Sequence, residues 1–212
     1  MMLAAACLTV PFADAPILLN GRCDEPQWMK AAEVRMSNDS RVLLLHDRDY
    51  VYFCAVPAPG DGAAFDIFVG HEDRTIQLHV SAQVGERLLV GNAEPPWDWN
   101  NHKGWYGIPT PLVALERGPD GRTHARYLQE SDRETAVSKS RFGRLPWKVR
   151  LSVTSFGQGK AHSAEFPVSS TLDSQAGWVE LRGEGFHSSQ NRLDIAPDGE
   201  TGRCPETRPL PC

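Results

Sequence analysis

The segment Glu94-Pro95-Pro96-Trp97-Asp98-Trp99-Asn100-Asn101-His102-Lys103-Gly104-Trp105-Tyr106-Gly107 carries the most readable chemistry of this sequence. Three of the chain's six tryptophans fall within nine positions, interleaved with Asp, Asn, Lys and Gly. A core strand would be richer in Val, Ile and Leu. Sugar rings present an apolar C–H face and a rim of hydroxyls. A flat indole covers such a face, while Asn, Asp and Lys side chains hydrogen-bond the rim. Trp97 and Trp99 share strand parity, so an extended segment points both the same way. The candidate ligand-binding residues are therefore Trp97, Trp99, Asn100, Asn101, Lys103, Trp105 and Tyr106, with a cation–π clamp by Lys103 as a variant. The competing expectation is that these tryptophans plug the end of the fold under a long loop.

Other chemistry is sparse. There is no G-x-S-x-G, H-E-x-x-H, P-loop or G-x-G-x-x-G, and no catalytic residue is assigned. The seven histidines are scattered, and His79 sits on the polar face of its strand, where a solvated role is expected. A glycosidase carboxylate pair is defined by separation in space and cannot be picked here. Asp47 and Asp49 are the candidate calcium loop, with turn stabilisation as the simpler reading. Met29, Met36, His46 and His79 are the candidate axial ligands for a haem-binding alternative. Without Cys7, four cysteines remain, and they allow three pairings. Cys204 and Cys212 bracket a Pro-rich tail that a local clasp would pin, leaving Cys23 to join Cys54; otherwise Cys54 is a small buried hydrophobe. No zinc spacing is present.

The elements that must position these residues are strands. Ile76, Leu78 and Val80 alternate with Thr75, Gln77, His79 and Ser81; Val149, Leu151 and Val153 alternate with Lys148, Arg150, Ser152 and Thr154. Phe65, Ile67 and Val69 share one parity, but Phe68 interrupts the polar face between them. Val42–Leu45 and Tyr50–Val56 are nearly continuous apolar runs, suited to strands covered on both faces, with His46-Asp47-Arg48-Asp49 as their turn. Leu112–Glu116 and Thr123–Leu128 flank a turn of Gly118-Pro119-Asp120-Gly121 chemistry. Glu25–Val34 has room for a turn or two of helix. Such spacing predicts an all-β, antiparallel, jelly-roll-like sandwich with little helix.

At 212 residues and net charge −5, the chain suits one domain and has no electrostatic footprint for nucleic acid. It has no apolar run of membrane-spanning length. Residues 1–15 read as the remnant of a secretory signal ending at Ala13-Asp14-Ala15, or else as an ordinary first strand. The sandwich then occupies 16–196 and a Pro/Cys-containing tail 197–212. The expected location is secreted or periplasmic, which agrees with paired cysteines.

Ile17-Leu18-Leu19-Asn20-Gly21-Arg22-Cys23-Asp24-Glu25-Pro26-Gln27-Trp28 resembles the opening of family 9 carbohydrate-binding modules and their DOMON-like relatives. The phrase Val42-Leu43-Leu44-Leu45-His46-Asp47-Arg48-Asp49-Tyr50-Val51-Tyr52-Phe53-Cys54-Ala55-Val56 is similar to the family's next two strands, and Phe65–Gly70 to the one after. Trp147–Val153 and Gly177–Leu181 resemble its late strands more loosely. The resemblance implies a sugar-binding β-sandwich, calcium as a structural ion, Trp28 as a packing residue, and association with a glycoside hydrolase. It also implies a clamp of two tryptophans. Pro57–Ala64 stands where the first of these would be, so the Trp97–Trp105 loop is the substitute. The function expected is that of a secreted, non-catalytic module binding an oligo- or polysaccharide and aiding polysaccharide breakdown. The alternatives are a glycoside hydrolase-associated protein with an unrecognised site, or a haem-binding protein.

Overall fold

A computed structural model describes residues 6–71, 74–90, 95–99, 103–110, 113–127, 132–157 and 160–184. The strands, in chain order, are β1 (Cys7–Val10), β2 (Ala32–Arg35), β3 (Arg41–His46), β4 (Tyr50–Val56), β5 (Gly62–His71), β6 (Arg74–Val80), β7 (Val84–Leu89) and β8 (Asp98–Trp99). They continue with β9 (Trp105–Gly107), β10 (Val113–Arg117), β11 (Thr123–Tyr127), β12 (Arg133–Ser138), β13 (Trp147–Gly157), β14 (Lys160–Phe166) and β15 (Val179–Gly183). Helix among the described residues is limited to 3₁₀ turns at Pro26–Lys30 and Gln175–Gly177 and one α turn, α1, at Lys139–Phe142.

Two sheets face each other. The longer runs β1-β15-β13-β5-β6-β7-β8, with β14 also paired to β13; the shorter runs β2-β3-β4-β12-β9. Pairing is antiparallel except for β1 on β15. The expected hairpin forms as β10–β11, with Val113 opposite Tyr127 and Arg117 opposite Thr123. The interior joins Val42, Leu44, Val51 and Phe53 from the shorter sheet to Phe65, Ile67, Leu78, Val149, Leu151 and Val153 from the longer. Each of these large side chains contributes about 1.5–3 kcal/mol by leaving water. The period-two alternation read from β6 and β13 is the alternation of this inner face with the outer one.

The apolar runs of β3 and β4 are also accounted for. Their inward residues face the core, while Leu43, Leu45, Tyr52 and Cys54 point outward and pack under Ala13, Ile17 and Trp28 of the N-terminal segment. Cys23 and Cys54 form a disulfide across that layer, with Cα atoms 6.2 Å apart. The pairing expected of Cys204 with Cys212, and the tail 197–212 as a whole, lie outside the described residues. In the folded chain the apolar opening contributes β1, and Val10 is fully buried.

Glu134 anchors the N-terminal layer from within. Its Oε2 accepts the amides of Asn20 and Gly21, each at 2.7 Å, and its Oε1 accepts the Trp28 indole N–H at 3.1 Å. Burial raises the Glu134 pKa, and the three N–H donors hold it back towards the carboxylate. Phe68, which interrupted the polar pattern of β5, lies outside the core on the other sheet, covered by Trp178 and by the Arg150 guanidinium 4.9 Å from its ring.

Candidate functional site

The outer face of the longer sheet is built from cross-strand rows. One row runs Ser152, Asp66, His79, Gly85, Trp99 across β13, β5, β6, β7 and β8. The next runs Arg150, Phe68, Gln77, Arg87. Residues two apart share a face, so the rows lie side by side.

Their polar groups form one continuous chain of hydrogen bonds. Arg87 Nε donates to Gln77 Oε1 at 2.7 Å, and Gln77 Nε2 donates to Asp66 Oδ1 at 2.9 Å. The same oxygen lies 2.9 Å from His79 Nδ1, and His79 Nε2 lies 2.9 Å from Ser81 Oγ. A carboxylate only accepts, so in the neutral imidazole the proton sits on Nδ1 and the Nε2 lone pair faces the serine hydroxyl.

Trp97 and Trp99 stand at the edge of this floor as an offset stack, centroids 5.1 Å apart and planes 24° apart. His79 lies 5.4 Å from Trp97 and 6.0 Å from Trp99, and the Arg87 guanidinium covers Trp97 at 4.5 Å. Gly85 makes this possible. A Cβ there would sit 2.5 Å from Trp99 Cε3, so only glycine lets the indole approach the sheet.

The six tryptophans divide cleanly. Trp28, Trp105, Trp147 and Trp178 are at most 5% exposed, and each donates its indole N–H to a carboxylate or a carbonyl. Trp99 is 42% exposed and Trp97 is half-buried; neither indole N–H donates to a protein group among the described residues.

The expected ligand set is therefore split. Trp97 and Trp99 come together as expected. Trp105 must be withdrawn: it is fully buried between the sheets and donates to Glu86 Oε2 at 2.7 Å, a carboxylate also clasped by Arg141 at 2.6 and 3.0 Å. It is the plug that the competing expectation described. Tyr106 is 47% exposed but belongs to β9 in the shorter sheet, 6.2 Å from Tyr50. Lys103 does not clamp Trp97, since Arg87 holds that place; it lines, with Arg74, Arg87 and Arg141, a hollow of about 370 Å³. Asn100 and Asn101 lie outside the described residues.

Asp66, Gln77, Arg87 and the glycine at 85 were missed. Their signal was the shared parity of Gln77, His79 and Ser81; placing Asp66 opposite required the strand register. His79, expected to be solvated, is instead tied at both ring nitrogens. Of the candidate calcium residues, Asp47 accepts the Asp49 and Tyr50 amides through Oδ1 and the Tyr52 hydroxyl through Oδ2, the work of a turn cap. Tyr52 is held protonated by burial and by that carboxylate. Cys23, Cys54 and Asp132 lie close together, but both sulfurs are spent in the disulfide. Of the haem ligand candidates, Met29 is exposed while Met36 and His46 are buried.

No protein-family model matches the chain, and neither does any curated protein sequence. Among solved structures, a Bacteroides uniformis protein whose name provisionally assigns it to carbohydrate binding is similar at 10% identity and a TM-score of 0.50, over 84% of this chain and 99% of that one. A family 9 carbohydrate-binding module from Caldicellulosiruptor kristjanssonii, solved with glucose, is similar at 10% identity and 0.49, over 87% and 100%. With cellotriose the figures are 11% and 0.45, over 90% and 100%. At these identities the likeness is one of fold: the chain is an all-β sandwich of antiparallel-rich sheets.

Proposed function

We propose that this chain binds carbohydrate on the outer face of its longer sheet, with Trp97 and Trp99 as the aromatic wall and the Arg87–Gln77–Asp66–His79 chain as the polar floor. The observation that carries this reading is the division of the tryptophans. Four bury their rings and satisfy their N–H groups; the other two, one half-buried and one exposed, donate to no described protein group and stand together beside ordered polar groups. Exposed stacked indoles cost solvation and are retained where a ligand covers them. A pyranose laid along the floor would place C–H groups on the indoles and hydroxyls on Asp66, Gln77 and Arg87.

Export accompanies this reading, because the Cys23–Cys54 disulfide belongs in an oxidising compartment. Among the described residues no helix is long and apolar enough to cross a membrane. A polysaccharide would then be the natural target, with a glycoside hydrolase as the partner that benefits from being held near it.

The test is titration of intrinsic fluorescence with gluco-, xylo- and manno-oligosaccharides, using wild type and Trp99→Ala. Wild type should give a saturable shift with at least one series. Loss of an aromatic anchor of this kind is worth about 10- to 30-fold in affinity. The fold should be unchanged by circular dichroism. Folded wild-type protein that gives no saturable response to any of the sugars would overturn the reading.

A further inference from the structure

We propose that Ser81, His79 and Asp66 form a nucleophile–base–carboxylate relay that cleaves acyl esters on the carbohydrate held at this face. The three side chains meet in the order such chemistry requires. Asp66 Oδ1 is 2.9 Å from His79 Nδ1, and His79 Nε2 is 2.9 Å from Ser81 Oγ. Both distances fall within hydrogen-bond reach for an activated serine. Asp66 fixes the tautomer, and Gln77 Nε2 fixes Asp66. The histidine and aspartate side chains are only 18% and 17% exposed, so they are sheltered from competing water.

Ser81 lies just past the end of β6, at the bend that leads into β7, and is less buried than the strand residues on either side of that bend, Val80 and Val84. The Gln83 amide is 3.3 Å from its Oγ. The Oγ also lies 3.4 Å from the Gln83 carbonyl, so the hydroxyl must turn to His79 before it attacks. No sequence motif announces the site, because the triad is recognised by geometry and roles.

The step balances without any cofactor. Ser81 Oγ attacks the ester carbonyl carbon, and its proton passes to His79 Nε2. The tetrahedral intermediate collapses by breaking the bond to the sugar oxygen, which takes the proton from His79. Water then attacks the acyl-serine, giving its proton to His79, and the carboxylic acid leaves as Ser81 recovers its hydrogen. The net reaction is ester plus water to acid plus free sugar hydroxyl. Ser81 and His79 are the catalytic residues, and Asp66 is a positioning residue. The substrate class rests on the carbohydrate reading above; the relay does not.

The experiment is release of acetate from O-acetylated xylo-oligosaccharides by the full chain, compared with Ser81→Ala, His79→Gln and Asp66→Asn. Acetate release by wild type should fall to the protein-free rate in Ser81→Ala. It should fall by about 10²- to 10⁴-fold in His79→Gln. Asp66→Asn should lower kcat by far more than it raises KM, whereas loss of a hydroxyl contact alone would raise KM and leave kcat. An organofluorophosphonate should add its mass to Ser81 in wild type and not in His79→Gln. Equal acetate release by wild type and Ser81→Ala would overturn the proposal and leave the three residues as a tie between β5 and β6. Fluorescence titration of Ser81→Ala with deacetylated oligosaccharides tests the binding reading separately, and its response should stay within about twofold of wild type.

Discussion

The two sheets present outer faces of opposite kind. On the shorter sheet the N-terminal segment lies over β3, β4 and β12, a disulfide crosses the layer, and Glu134 collects the polar groups that the layer would otherwise strand. On the longer sheet, among the described residues, Trp178 covers only Phe68, and the polar groups from β5 to β7 bond one another in a row that ends at one half-buried and one exposed indole. The same residue types serve both. Trp28 gives its N–H to a buried carboxylate; Trp97 and Trp99 keep theirs. What separates the four buried tryptophans from this pair is whether the fold supplies a partner for the N–H, and that is decided by distant segments.

The sharpest way to break this contrast is on the covered face. Glu134→Ala leaves the amides of Asn20 and Gly21 without their acceptor, and leaves the Trp28 indole N–H with Glu25 Oε2 alone, at 3.1 Å. Each stranded donor in a sheltered site costs about 1–3 kcal/mol. The expected loss is about 3 kcal/mol or more in denaturant unfolding, with Glu134→Gln milder because one carbonyl oxygen remains. Sugar affinity of the surviving folded fraction should not change, since the residue serves only the covered side. A parallel loss of affinity would show that the two faces are not independent.

On the open face the corresponding change is Gly85→Ala. The added methyl would fall 2.5 Å from Trp99 Cε3, so the indole must lift from the sheet. The backbone is in no strained region there, and the cost in unfolding should be small, within about 0.5–1 kcal/mol. Affinity for sugar should fall by about tenfold, since the wall and the floor no longer meet at the same spacing. An unchanged affinity would mean that Trp99 does not touch the ligand.

How far such a contrast could be read from residues alone differs by region. The alternation in β6 and β13 and the hairpin chemistry at Gly118–Gly121 are local, and the sheet follows them directly. The unbroken apolar runs of β3 and β4 announced cover on both sides but not that residues 11–31 would supply it. Trp105 sits in the same polar loop as Trp97 and Trp99, and nothing local distinguishes it. Its burial depends on Glu86 and Arg141, nineteen and thirty-six positions away in sequence. An apolar opening of this length suits an export signal first and an edge strand second, and the pairing of β1 with β15 is set by topology rather than by anything local. Asp66, His79 and Ser81 meet only through the register of two strands. Residues whose partners are a few positions away were legible, and those whose partners arrive by sheet topology were not.

The smallest effect sets the interior between the sheets against the open face, by acid. His46 lies at the end of β3 with the inward parity of Val42 and Leu44, 6% exposed, its Nε2 beside Gly183 of β15, with Phe12 edge-on to its ring and Lys139 Nζ 3.0 Å from Nδ1. Burial lowers its pKa first, and the Lys139 charge adds to this, against the opposing carbonyls of Asp47 and Glu184 and the Asp47 carboxylate. The unfolded chain, with an ordinary histidine near 6.5, therefore binds a proton more readily than the native state as pH falls. His46 stabilises the fold fully above that value, and the contribution is lost as pH falls from about 6.5 towards the depressed native pKa, at no more than about 1.4 kcal/mol per pH unit. His46→Gln should flatten the fall in unfolding free energy between about pH 7 and 5 relative to wild type. The same variant should leave sugar affinity at neutral pH untouched, because its contacts are with Phe12, Asp47 and Lys139 rather than with β6 to β8. If the slope is identical with and without the imidazole, then His46 protonates as easily folded as unfolded, and this end of the interior is more open to water than its packing implies.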